Sequence, residues 1–263
     1  MSQTIAAGAR ASTPRTTAQA PGQVKDARAA SDRRFYLIAA VVMLVCTAGG
    51  FRNFYLHGQN PAGREITPRI LPFVVLHGLA MTGWVLLFVV QSLFIQTGRR
   101  KLHLAIGPLG SLFGVVAAIF GLLAATYSAH FNPHASDVFG GARVFLATMY
   151  AEMLLFGTFV AFGYLYRRKP DAHRPMMLLA TVILQSGSLG RLPYVGDLAV
   201  RPLYAWDLVL IFGALLFVLQ WAMTSRPNLW FLKGYAGIAM VAVVSVGIGN
   251  TAAWNRLVSS FVP

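Results

Sequence analysis

Apolar positions in this chain come in continuous blocks, not in alternation. Residues 70–95 carry no formal charge, and comparable blocks recur at about 34–56, 103–128, 143–166, 174–192, 204–224 and 232–254. A helix needs about 20 apolar residues to cross a ~30 Å hydrocarbon core. A membrane β-barrel would instead show short alternating segments. The pattern therefore predicts an all-α, polytopic transmembrane helix bundle of about seven spans. The fifth block is diluted by Gln185, Ser186, Gly187, Ser188 and Gly190. A helix that polar must face protein or a cavity rather than lipid.

Composition agrees: 56% of residues are hydrophobic and 11% are charged, against about 25% charged in soluble chains. The net charge of +14 does not point to nucleic acid, because the basic residues sit in short clusters between apolar blocks. One side holds the N-terminal cluster, Arg99–Lys101, Arg167–Lys169 with Arg174, and Arg226 with Lys233, leaving only seven of the 22 basic residues for the other side. The positive-inside rule then places the N-terminus in the cytoplasm and the C-terminus outside. Residues 1–33 read as a disordered basic cytoplasmic tail, too polar to bury a core and without a signal-peptide pattern. Residues 34–263 read as the transmembrane domain. The single cysteine, Cys46, allows no intrachain disulfide and reads as a small core residue. Gly110 and Gly114 form a GxxxG face for close helix contact. The pairs Trp206/Trp221 and Trp230/Trp254 fall at span ends, as an aromatic belt would.

Ionisable and ligand-capable groups inside the blocks are functional candidates. His77 lies roughly 10 Å below the outer boundary, with Met81 one turn deeper on the same face. Met149, Glu152 and Met153 reach that depth from the outer end of the fourth span. Glu152 is the only acid deep in a span, and its ionised form is not tolerated alone. Arg52 and Arg191 are its candidate partners, and Gln185, Asp207 and Asn250 complete an outer polar set. The expectation is a protein-lined recess shared by His77 and Glu152. His77, Met81, Met149 and Met153 make a soft ligand set that suits Cu(I), although buried methionines are more often gap-filling core residues. On the inner side, His103 and His173 open the third and fifth spans at matching depth. Two facing imidazoles can ligate a haem iron, yet each is also an ordinary interfacial residue beside Lys and Arg. In the outer loop, His130, His134 and Asp137 offer a zinc-like HxxxH spacing, interrupted by Asn132-Pro133.

The stretch HRPMMLLATVILQSGSLGR, His173 to Arg191, resembles the H-R-x-M … R pattern of uncharacterised bacterial multi-span membrane proteins of a domain-of-unknown-function type. GRRKLHLAIG resembles their other recurring element, an Arg followed by H-x-x-x-G before a helix. The resemblance covers spans two to five. It departs where His103 is followed by Leu104 instead of Arg, and where Pro175 replaces an aromatic before Met. It implies a helical inner-membrane fold with His and Arg at helix ends. Some loosely similar proteins are linked to respiratory oxidase maturation.

The leading functional expectation is a redox or metal-handling role in the cytoplasmic membrane, with haem b, quinone or copper in an outer-leaflet polar pocket. Candidate cofactor-binding residues are His77, Glu152, Arg191, His103 and His173. The alternatives are a non-catalytic assembly or scaffold subunit, a proton-linked small-molecule transporter using Glu152, and an intramembrane zinc hydrolase using His77, His130 and His134 with Glu152 or Asp137 as base. Expected partners are the lipid bilayer and quinone or respiratory-complex proteins, not nucleic acid. Whether the chain is an enzyme stays open.

Overall fold

The computed structural model describes residues 21–60, 63, 65–131, 141–195 and 205–262. Among them the helices are α1 (Pro21–Gly50), α2 (Arg52–His57), α3 (Leu71–Gln96), α4 (Arg100–Phe131), α5 (Ala142–Leu165), α6 (Pro170–Ile183), α7 (Gln185–Leu189), α8 (Ala205–Thr224), α9 (Leu229–Gly249) and α10 (Ala252–Val258). Six of these, α1, α3, α4, α5, α8 and α9, are long and apolar enough to cross a membrane. Leu79, Leu112, Leu154, Leu215 and Val243 point outward and are 59–65% exposed. Such a surface is at home only in lipid, and the chain is an all-α, multi-pass membrane bundle.

The fifth block is a broken helix, α6 and α7, hinged at Leu184 and packed against α1, α5, α8 and α9. From Leu178 to Leu184 no side chain is more than 5% exposed. Its start is tied to α1 by the Arg174–Asp32 ion pair, and near its end Gly50 lies directly on the Ser188 backbone. The pair thus runs along α1 from Asp32 to Gly50. Its polar residues are met by protein: Gln185 donates from Nε2 to Thr47 Oγ1 at 3.3 Å, and Ser188 donates to Gln185 Oε1 at 2.7 Å.

Small residues set the helix spacing, as expected. A methyl added at Gly110 would fall 3.3 Å from Leu87, and one at Gly114 3.2 Å from Trp84, both on α3. Trp84 packs edge-on against Phe156 of α5 with ring centroids 5.1 Å apart. It also donates from Nε1 to Thr181 Oγ1 of α6 at 3.1 Å.

Three elements depart from the sequence expectation. Residues 21–33, expected as part of a disordered tail, form the first turns of α1. Arg28 donates to the Thr224 carbonyl at 3.1 Å, and Asp32 holds Arg174. Residues 1–20 lie outside the described residues. The first block breaks at Phe51, and its remainder forms α2, stopped by Gly58 at φ 65°. Trp206, expected in an interfacial belt, is fully buried. Above α9, α10 folds back on the bundle, and Trp254 donates from Nε1 to the Arg143 carbonyl at 2.8 Å.

Candidate functional site

With the outer side taken as the one that the Lys and Arg distribution predicts, the ionisable residues fall into an outer group that is only partly assembled and an inner group that is. In the outer half, Glu152 is 2% exposed, and its Oε2 accepts from Ser186 on α7 at 2.9 Å. Its Oε1 has no partner. Of the two arginines expected beside it, Arg191 acts on it electrostatically, while Arg52 stands exposed. Arg191 sits at the outer surface, its guanidinium 4.7 Å from the Phe51 ring.

His77 faces elsewhere. Its Nδ1 donates to the Ala117 carbonyl of α4 at 3.0 Å, since a carbonyl only accepts. A methyl on Gly121 would fall 2.9 Å from His77 Cε1 and would also meet the Met153 sulfur. His77 and Met153 are therefore neighbours across α4. His77 and Glu152 are turned to different neighbours, α4 and α7, and what they share is the electrostatic reach of Arg191. Met81 packs on the main core, whereas Met149 belongs to a separate outer cluster with Ala125, Leu146 and Val258. Of the soft-ligand set, His77 and Met153 meet at Gly121, whereas Met149 packs in the separate cluster. Asn250 bonds back to the Val246 carbonyl at an exposed helix end, and Asp207 accepts from the Leu208 backbone at 2.8 Å.

His130 is exposed and bonds through Nδ1 to the Phe261 carbonyl at 2.8 Å. It stands 13 residues beyond Ala117 on α4, about 20 Å from the level of His77. His134 and Asp137, which the zinc expectation also needs, lie outside the described residues. Among the described residues no three His, Cys, Asp or Glu side chains are grouped to hold a metal ion.

The inner group is closer. His103 and His173 each occupy the first turn of a helix, α4 and α6, where Arg100 and Lys169-Pro170 begin those helices. Their ring centroids are 6.3 Å apart and the ring planes lie at 80°. His173 Nδ1 donates to the Gly163 carbonyl at 2.7 Å. The side-chain amide of Gln91, on α3, meets Nδ1 of His103. His173 is therefore held by its Nδ1, which leaves its Nε2 as the atom available to a ligand. Arg100 and Arg174 act electrostatically on His103. On α1, Asp32 pairs with Arg174, and the Tyr36 hydroxyl is buried without a partner. Sequence reasoning missed Asp32 and Tyr36. Their i, i+4 spacing on one face of α1 was the available signal, hidden by the expectation that the tail is unstructured.

Comparison with models of known families, with curated proteins and with solved structures yields no match to this chain. Function is therefore argued from the residues alone.

Proposed function

We propose that this chain is a haem-binding electron carrier of the cytoplasmic membrane, with His103 and His173 as axial ligands near the inner boundary. One observation carries the reading: the separation and angle of the two imidazoles. Rings bound on opposite sides of one ion through ~2 Å metal–nitrogen bonds place their centroids ~6 Å apart, and these stand at 6.3 Å. The Nδ1–H···O=C bond of His173 is the support that fixes a ligating imidazole and leaves Nε2 free. Arg100 and Arg174 suit the acidic edge of a haem at a membrane boundary. This keeps the redox expectation but moves it from the outer recess to the inner pair.

In the same reading α6–α7 counts as a seventh crossing. The N-terminus is cytoplasmic and the C-terminus is outside, by the distribution of Lys and Arg. The test is the absorption spectrum of protein purified from haem-replete cells. A Soret band with reduced-minus-oxidised bands typical of paired histidine ligation is expected. Colourless protein that also fails to take up added haemin overturns the reading.

A second reading, proton-linked transport, is favoured by the orphaned atoms around Glu152. Thr47, Thr82, Thr126, Thr158, Thr181 and Thr224 each donate to the carbonyl four residues back. Thr148, one turn from Glu152 on α5, is fully buried and makes no hydrogen bond. Two unpartnered polar atoms one turn apart, Glu152 Oε1 and Thr148 Oγ1, each costing about 1–3 kcal/mol, would be tolerated at a working site. On this reading Glu152→Gln abolishes pH-dependent uptake into proteoliposomes, and unchanged uptake removes Glu152 from any mechanism.

A further inference from the structure

Two oxygens on one face of α5 are buried with nothing bonded to them. They are Glu152 Oε1 and, one turn earlier, Thr148 Oγ1, on residues that are 2% and 0% exposed. Positions i and i+4 on a helix stand about 5–6 Å apart at Cβ. Ser186 of α7 approaches the same carboxylate and donates its proton to Oε2 at 2.9 Å.

Helix α9 brings a further hydroxyl to this level. A methyl on Gly249 would fall 2.9 Å from the Val144 Cα, and one on Gly234 3.2 Å from the Phe159 ring. The two helices therefore run antiparallel. Ser245, one turn before Gly249, then comes level with Thr148, one turn after Val144. Ser245 shares the buried stripe of α9 with Gly234 and Gly249. It is 3% exposed and donates its proton to the Ala242 carbonyl at 3.0 Å. The protons of Ser186 and Ser245 are thus committed, and their oxygens keep lone pairs to offer.

One carboxylate and its neighbouring hydroxyls make an acceptor-rich set. What satisfies it must bring positive charge, because an ionised carboxylate is not tolerated alone inside a membrane protein. Arg191 does not fill that place: its guanidinium donates to the Gly187 carbonyl and stacks on Phe51. Oxygen-only ligands suit a hard cation, and a single carboxylate balances a single charge. Broken helices are also where transporters hold sodium. Here α6–α7 breaks at Leu184, two residues before Ser186.

We propose that Glu152, Thr148, Ser186 and Ser245 bind a sodium ion. The site does not depend on the haem. It shares Glu152 with the transport reading and goes beyond it by naming an ion that this carboxylate holds.

The test is binding of a radioactive sodium tracer to purified full-length protein, followed by scintillation proximity. Wild-type protein is expected to bind the tracer saturably, with displacement by unlabelled sodium and not by choline. Glu152→Gln removes the charge and should abolish binding. Thr148→Val breaks no hydrogen bond within the protein, so its fold should survive. It and Ser245→Ala should each weaken binding roughly tenfold or more, the loss of one polar contact. Thr148→Ser, which restores the oxygen, should bind as the wild type does. Wild-type protein without saturable binding overturns the proposal and leaves the unpartnered oxygens to a water or a proton. Wild-type affinity in both Thr148→Val and Ser245→Ala places the ion elsewhere and overturns it as well. Neither result decides the transport reading, which stands or falls on uptake by Glu152→Gln proteoliposomes.

Discussion

Purified His173→Ala protein is expected to carry no haem absorbance, while His77→Ala protein keeps the wild-type spectrum. The argument is one of ligand number. His173 supplies one of two imidazoles whose centroids stand 6.3 Å apart, and its removal leaves His103 alone at an inner boundary where water competes for the vacated position. The cost to folding is small by comparison. The ring is half-buried, and the lost bond to the Gly163 carbonyl is worth about 1 kcal/mol. The variant should therefore elute as the wild type does. His173→Met is the informative companion, since a thioether still ligates iron and raises its potential. Haem retained with altered bands and a higher midpoint is expected. If His173→Ala keeps its full haem content, ligation lies elsewhere and the inner pair is only a ring contact.

The second large effect is on stability. Gly50→Ala is expected to cost ~3 kcal/mol or more, above the usual 1–3 kcal/mol of an overpacked core. A methyl there would lie 2.8 Å from both the Cα and the carbonyl carbon of Ser188. Those atoms are backbone, so no rotamer change relieves the clash, and α1 must part from α7. The Gln185–Thr47 bond at 3.3 Å joins the same two elements and would be drawn apart with them. In detergent the midpoint of thermal unfolding should fall by roughly 6–12 °C, scaled from about 2–4 °C per kcal/mol for chains of this size. An unchanged midpoint would show that the α1–α7 contact is not tight.

Hydropathy made depth legible and left rotation hidden. Block ends matched helix ends to within a few residues at α3, α5 and α8, because the bilayer thickness that sets them is constant. His103 and His173 could be matched in depth for the same reason, and there the helix faces also meet. His77 and Glu152 were matched by the same reasoning, but they turn to α4 and α7 respectively. Helices apolar on all sides carry no stripe from which their rotation could be read. Trp206 illustrates the same limit: its level was right, yet its ring faces the interior. Ser186 and Thr148 carried no signal beyond their polarity. The continuation of α1 through Asp32 was obscured because tertiary ties, to Arg174 and to the Thr224 carbonyl, order a stretch whose composition alone argues against structure.

The enclosed course of α6–α7 also bears on how the molecule is made. Its sheath consists of α1, α5, α8 and α9, and the last two are synthesised after it. At the moment α7 leaves the ribosome, half of what will surround Gln185, Ser186 and Ser188 does not yet exist. The burial of this segment is therefore complete only once α8 and α9 have been made.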